Sequence, residues 1–286
     1  VLRSVSVYSF SSGSAEQLMM VGYSKFITCD LNDDGCSELM VILPGESETG
    51  TGSAVLYRMQ DGNIERSVEV NVSEDATHIR RITVGRLLGG TPAVFVASAV
   101  NNSAIVTDVF AWRNDRFSNI SYSRDSDTSV QTLRNYYVYA EDIDGDGVME
   151  LPSLITMKRV FPEQEGKQKF LIRWFAMDLE GREMDKFFTF HNYLGGWYMQ
   201  LASSWAPRVS VEQEGGKYTF YVWDEDYRQA LDVFSIYVLT GGSREEDATV
   251  DGRFAFYRAE GVVYAAKLEA NAAEFGITEN QLINNF

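Results

Sequence analysis

DIDGDGVME, Asp142 to Glu150, and its near-copy DLNDDGCSE, Asp30 to Glu38, decide how this chain is read. Both place carboxylate or amide oxygens at positions 1, 3 and 5, a glycine at position 6 and a glutamate at position 9. Hard cations such as Ca²⁺ take about six to eight oxygen ligands, and a tight turn that points alternate side chains inward supplies them. The expected ligands of the first loop are Asp30, Asn32, Asp34, the backbone carbonyl of Cys36, and Glu38. Those of the second are Asp142, Asp144, Asp146, the carbonyl of Val148, and Glu150. Two Ca²⁺ sites are therefore expected.

An EF-hand loop shares the first six positions but needs an acidic residue at position 12 and helices on its flanks. Position 12 here is Val41 in one loop and Ser153 in the other. KFITC (25–29) enters the first loop and LMVIL (39–43) leaves it, both short apolar runs without a helical polar face, so the setting is strand–loop–strand. Acidic turns without a metal are the plain alternative, because Asp, Asn and Gly favour turns in any case. Two loops identical in phase, each ending in glutamate, argue for the cation.

Working outward, a shift of 54 residues lays Ile82–Val96 over Thr28–Ile42 and brings Gly89 onto Gly35. The same shift carries Asp61 of the turn QDGN onto Asp115 of the turn NDR. From Val84 to Asp142 is another 58 residues, and a late turn recurs as DLEG, Asp178 to Gly181. Each unit reads as four strands. The first holds KFITC, ELMVIL, SAVLYRM and NIERSVEVNV; the second IRRITVG, PAVFVASA, AIVTDVFAW and FSNISYS; the third YYVYAED, ELPSLITM, KFLIRWFAM and EMDKFFTFH. Four-stranded units at such a period are the pattern of β-propeller blades, which bury their faces only by stacking. The second unit carries Val84, Arg86 and Leu88 at positions 1, 3 and 5, so no metal is expected there.

The expected fold is thus all-β, a propeller-like array forming one domain over 1–286. Within it, 1–26 ends a preceding unit, 27–76 and 135–192 carry metal loops, 77–134 carries the degenerate loop, and 193–286 holds divergent units. GGSREEDATVDG (241–252) is expected as loop. In the tail, Thr278 with Gln281 has capping-box spacing and predicts a short terminal helix.

The formal charge of −16 excludes nucleic acid and anionic membrane surfaces as natural partners. No apolar run is long enough to span a bilayer as a helix. The chain begins at Val1, which suggests an N-terminal piece removed or cut away, with room for a signal or lipid anchor. Cys29 and Cys36 bracket the first loop: either a disulfide closes its neck, or one cysteine is buried in a strand and the other lies in the loop. His78 and His191 are the available imidazoles, and no nucleophile elbow, zinc-protease helix or dinucleotide fingerprint occurs. Tyr193, Trp197 and Trp205 offer either a stacking platform for sugars or core packing.

With these residues in view, the loops over about Val21 to Asn192 resemble the FG-GAP and VCBS repeats of integrin-α-like propellers, in which such a loop binds Ca²⁺ between a blade's first two strands. The later segments HNYLGGWYMQLASSW and YAAKLEANAAEFGITENQLINNF resemble the carboxyl end of lipoproteins from Gram-positive gut bacteria. The resemblance implies an extracytoplasmic, membrane-tethered lipoprotein that recognises a protein or glycan. A carbohydrate-active enzyme and a scaffold of an envelope assembly are the alternative functions. It departs from the family in its metal-free second unit and in length, which allows about five units where integrin-type propellers have seven.

Overall fold

A computed structural model describes residues 3–10, 13–45, 51–74, 76–101, 103–113, 116–163 and 168–286. The chain is all-β, built mainly of four-stranded antiparallel sheets. A hairpin of β1 (Ser4–Ser9) and β2 (Glu16–Gly22) comes first. The first four-stranded sheet is β3 (Lys25–Cys29), β4 (Glu38–Pro44), β5 (Thr51–Gln60) and β6 (Asn63–Val70). The second is β7 (Ala76–Arg86), β8 (Pro92–Val100), β9 (Ala104–Arg113) and β10 (Arg116–Asn119). In both sheets, strands adjacent in sequence are adjacent in space, as the repeat predicts. QDGN makes a two-residue hairpin turn: Gln60 pairs with Asn63, and Asp61 and Gly62 take φ of 50° and 82°. The turn expected at Asp115 falls outside the described residues.

The chain divides into two compact units, one of Val1–Ser153 with Phe175–Asp185 and one of Leu154–Trp174 with Lys186–Phe286. In the first unit, strand alternation explains why the apolar runs are so continuous. Along β8, Val94 and Val96 join Met40, Ile42 and Leu56 of the first sheet in one core. Their neighbours Ala93 and Phe95 face the other way, onto Leu151, Phe175 and Met177. A strand buried on both faces has no polar side to show, so PAVFVASAV is apolar but for Ser98, which is itself buried. The far face of the first sheet, Leu39, Val41, Val55 and Tyr57, is covered by Val5, Val7, Met19 and Val21 of the β1–β2 hairpin.

The third sheet departs from the expected pattern. It runs β11 (Glu150–Thr156), β12 (Phe170–Met177), β13 (Glu183–Asn192) and β14 (Trp197–Leu201). YYVYAED is not a strand: a single bridge, Glu141 with Glu150, is all that survives of it. The cause lies just upstream, where backbone groups are engaged elsewhere. Arg134 exchanges both backbone hydrogen bonds with Ile105, and its guanidinium takes the carbonyls of Thr132 and Val138. The carbonyl of Val138, within the expected strand, is thereby withdrawn from any ladder.

In the second unit, β15 (Val209–Glu214), β16 (Lys217–Trp223), β17 (Ala230–Thr240), β18 (Phe254–Ala259) and β19 (Val262–Leu268) form a five-stranded sheet in the order β15-β16-β17-β19-β18. Its core gathers Phe190, Phe220, Phe234, Val211 and Met199. The segment 241–252, expected as loop, contains one helical turn, α1 (Arg244–Asp247), closed by a hydrogen bond from Ser243 Oγ to Asp247. The tail follows its sequence: α2 (Glu279–Asn284) starts at Thr278 with a complete capping box to Gln281.

Candidate metal loops

Both loops fold on one hydrogen-bond scheme. At position 1, Asp30 Oδ2 accepts the Gly35 N–H at 2.8 Å, and Asp142 Oδ2 accepts the Gly147 N–H at 3.0 Å. At position 3, Asn32 Oδ1 and Asp144 Oδ1 accept from Asp34 and Asp146 at 3.0 and 3.2 Å. At position 5, Asp34 and Asp146 accept the N–H groups of Cys36 and Val148 at 2.8 and 2.9 Å. At position 9, Glu38 and Glu150 accept from Leu31 and Ile143 at 2.9 and 3.1 Å. The turn glycines take left-handed φ of 85° at Gly35 and 88° at Gly147, a conformation that costs glycine least. Each neck is closed by the same pair, Cys29 with Glu38 and Glu141 with Glu150.

The two glutamates are sunk into the protein, at 3% exposure for Glu38 and 0% for Glu150. Burial raises the Glu38 pKa, a shift that the Leu31 amide partly opposes. Asp34 goes the other way, held down by the Cys36 amide and the Asn32 side chain. Three carboxylates at alternate positions of the second loop, Asp142, Asp144 and Asp146, bring oxygens within 4.8 Å of one another, close enough to hold a metal ion. Asp142 Oδ1 is buried and accepts no hydrogen bond. An all-oxygen set of this kind suits a hard cation and not zinc or copper.

Among the described residues, the first loop forms no comparable carboxylate cluster. Asn32 replaces an aspartate at position 3 and gives an N–H to Asp34 at 2.8 Å. Arg58 lies 3.7 Å from both Asp34 and Glu38, so part of the negative charge is already met by the protein. The degenerate loop has shed the geometry as well as the ligands: β7 and β8 pair as far as Arg86 with Pro92 and leave only the turn 87–91. Arg86, at the former position 3, gives a hydrogen bond to the Gly90 carbonyl and sits 3.4 Å from Asp33.

Cys29 and Cys36 are free thiols. Burial, with the Glu38 and Asp30 carboxylates beside it, pushes the Cys29 thiol up to about 11. Of the aromatic trio, Tyr193 is exposed, but Trp197 and Trp205 are 7% and 6% exposed and belong to the second unit's core. Trp197 stacks on Phe286 and meets Phe190 and Tyr218, so its faces are occupied and, of the two readings open to it, core packing is the one it takes. His78 is exposed on β7. His191 is half-buried and stacks on Tyr198, with its Nε2 2.9 Å from the Thr189 hydroxyl.

One polar cluster among the described residues has no local signal in the sequence. Asp108, fully buried on β9, accepts from Ser73 N and Oγ, Ser129 Oγ and Asn119 Nδ2 at 2.6–3.0 Å. Four donors satisfy the charge where water does not reach.

No family model matches the chain, and no curated relative does. A mannose phosphorylase from Leishmania mexicana, solved in complex with phosphate ion, is similar over 97% of this chain and 77% of its own, at 9% identity and a TM-score of 0.28. A likeness that low carries no argument about fold or activity.

Proposed function

We propose that this chain is a calcium-stabilised, β-propeller-like binding module of the FG-GAP and VCBS type. Its ligand is a protein or glycan met outside the cytoplasm, and its carrier is a lipid-anchored surface protein. The observation that carries the reading is the hydrogen-bond scheme common to the two loops, with three carboxylates converging in the second and Asp142 Oδ1 left without a donor. Asp142, Asp144, Asp146, Glu150 and the Val148 carbonyl would hold the ion, which supplies charge neutralisation and a fixed corner ahead of β11. Asp30, Asn32, Asp34, Glu38 and the Cys36 carbonyl are the weaker counterpart.

The role assigned to the cation is structural. A ligand bound only by the folded state stabilises it by about 2.7 kcal/mol at a hundredfold excess over Kd. Calorimetric titration of the metal-stripped protein should show Ca²⁺ binding in preference to Mg²⁺ and Zn²⁺, with a rise in melting temperature that EDTA reverses. A melt indifferent to both Ca²⁺ and EDTA would sink the reading.

A further inference from the structure

Asp33 holds position 4 of the first loop, between the inward-facing ligand positions, and has no part in the hydrogen-bond scheme above. It sits in the left-handed region at φ 56°, and its carboxylate is turned to Arg86. Asp33 lines a cleft of about 280 Å³ together with the turn 89–92 and Trp112, and Arg86 is bonded to two of its lining residues, Asp33 and Gly90. We propose that this cleft binds one neutral sugar ring, a ligand assignment that rests on the reading of the chain as a binding module.

Size, chemistry and charge converge on that class. Small-molecule pockets start near about 300 Å³, so the space suits a single ring and not a chain of them. The Asp33–Arg86 pair is loose, at 3.4 Å with both side chains about half exposed, and exposed pairs of this kind hold each other weakly. It sets an acceptor next to a donor. Neighbouring sugar hydroxyls, each able to give and take a hydrogen bond, match such a pair. Arg86 is further held by its hydrogen bond to the carbonyl of Gly90, another residue of the lining. Trp112 and Pro92 supply an apolar wall for the C–H edge of the ring, and Arg58 stacks on Trp112 at 5.0 Å and holds it in place. The chain's formal charge of −16 disfavours an anionic ligand, which leaves a neutral one.

The test is saturation-transfer NMR on the whole chain in excess Ca²⁺, with methyl glucoside, methyl galactoside, N-acetylglucosamine and glucuronate as probes. At least one neutral probe should saturate, with Asp33→Ala and Arg86→Met each weakening it about tenfold or more, or 1.4 kcal/mol. Arg86 is exposed, so Arg86→Met should melt with the wild type, while Asp33→Ala, which puts alanine at a left-handed φ, should melt slightly lower and is paired with the unstrained Asp33→Gly. Trp112→Phe should retain binding and Trp112→Ala lose it. Silence from every neutral probe up to about 50 mM, a level at which even a minimal ligand registers, overturns the inference. Equal binding by Asp33→Ala, or a preference for glucuronate, overturns it too. Sugar silence in a protein that still responds to Ca²⁺ removes this inference alone, whereas sugar binding without a Ca²⁺ response removes the metal reading and leaves the cleft.

Discussion

Met149 lies across the backbone of Gly85 so closely that a Cβ on that glycine would stand 2.1 Å from the methionine Cγ. The residue before Glu150 is therefore seated on the strand that precedes the degenerate turn, and the Met149 N–H donates to the Arg86 carbonyl at 2.9 Å. Gly85→Ala should destabilise the protein by about 1–3 kcal/mol, the usual cost of overpacking a filled site. Chemical denaturation measures it. Met149→Ala in the same background should recover part of the loss, since it vacates the space.

The two loops should not contribute equally to the calcium response. Asp146→Ala removes one of three converging carboxylates and should abolish most of the thermal shift on adding Ca²⁺. Asp34→Ala should remove only a minor part, because Asn32 and Arg58 already lower the charge of that loop. Differential scanning calorimetry with and without EDTA compares the two variants, and a larger loss from Asp34→Ala would reverse the ranking.

Asp108→Ala would strand the buried donors of Ser73, Ser129 and Asn119 at once. Removing one partner from a buried charged network costs about 3–5 kcal/mol. Asp108→Asn, which keeps the shape and some acceptor capacity, should cost less. Equilibrium unfolding in urea distinguishes the two.

His191 gives a pH dependence with a defined sign. Burial pushes its imidazole down to about 4 from the ordinary 6.5. Trp174 Nε1 donates to the Thr189 hydroxyl at 2.8 Å, leaving that hydroxyl's own proton for His191 Nε2. Between the two pKa values the unfolded chain binds the proton and the folded chain does not. The contribution is thus complete above pH 6.5 and lost as pH falls toward 4, up to about 3 kcal/mol. The wild type should lose more stability than His191→Gln between pH 7 and pH 4.5, measured as the difference in urea midpoints.

Most strands were legible because their signal is local. KFITC is β3 residue for residue, and the apolar run at 92–100 is β8. The loops announced themselves because the residues that accept each amide lie within a few positions of it. What the sequence concealed is pairing at a distance. Ser73 reaches Asp108 across 35 residues and the Ser129 amide across 56, and nothing in a local pattern marks those serines. The same tether explains the missing strand: YYVYAED alternates like a strand, yet the residues just before it are held to β9. Trp197 and Trp205 stayed ambiguous for another reason, since an aromatic cluster reads alike whether its rings face solvent or one another.

The lost strand leaves β11 on the rim of its sheet, where a row of idle backbone groups would invite a stray chain to join. Pro152 sits in that strand without a proton to offer, and the Glu141–Glu150 bridge closes its first residue. The corner that gathers the carboxylates therefore also covers the start of that rim.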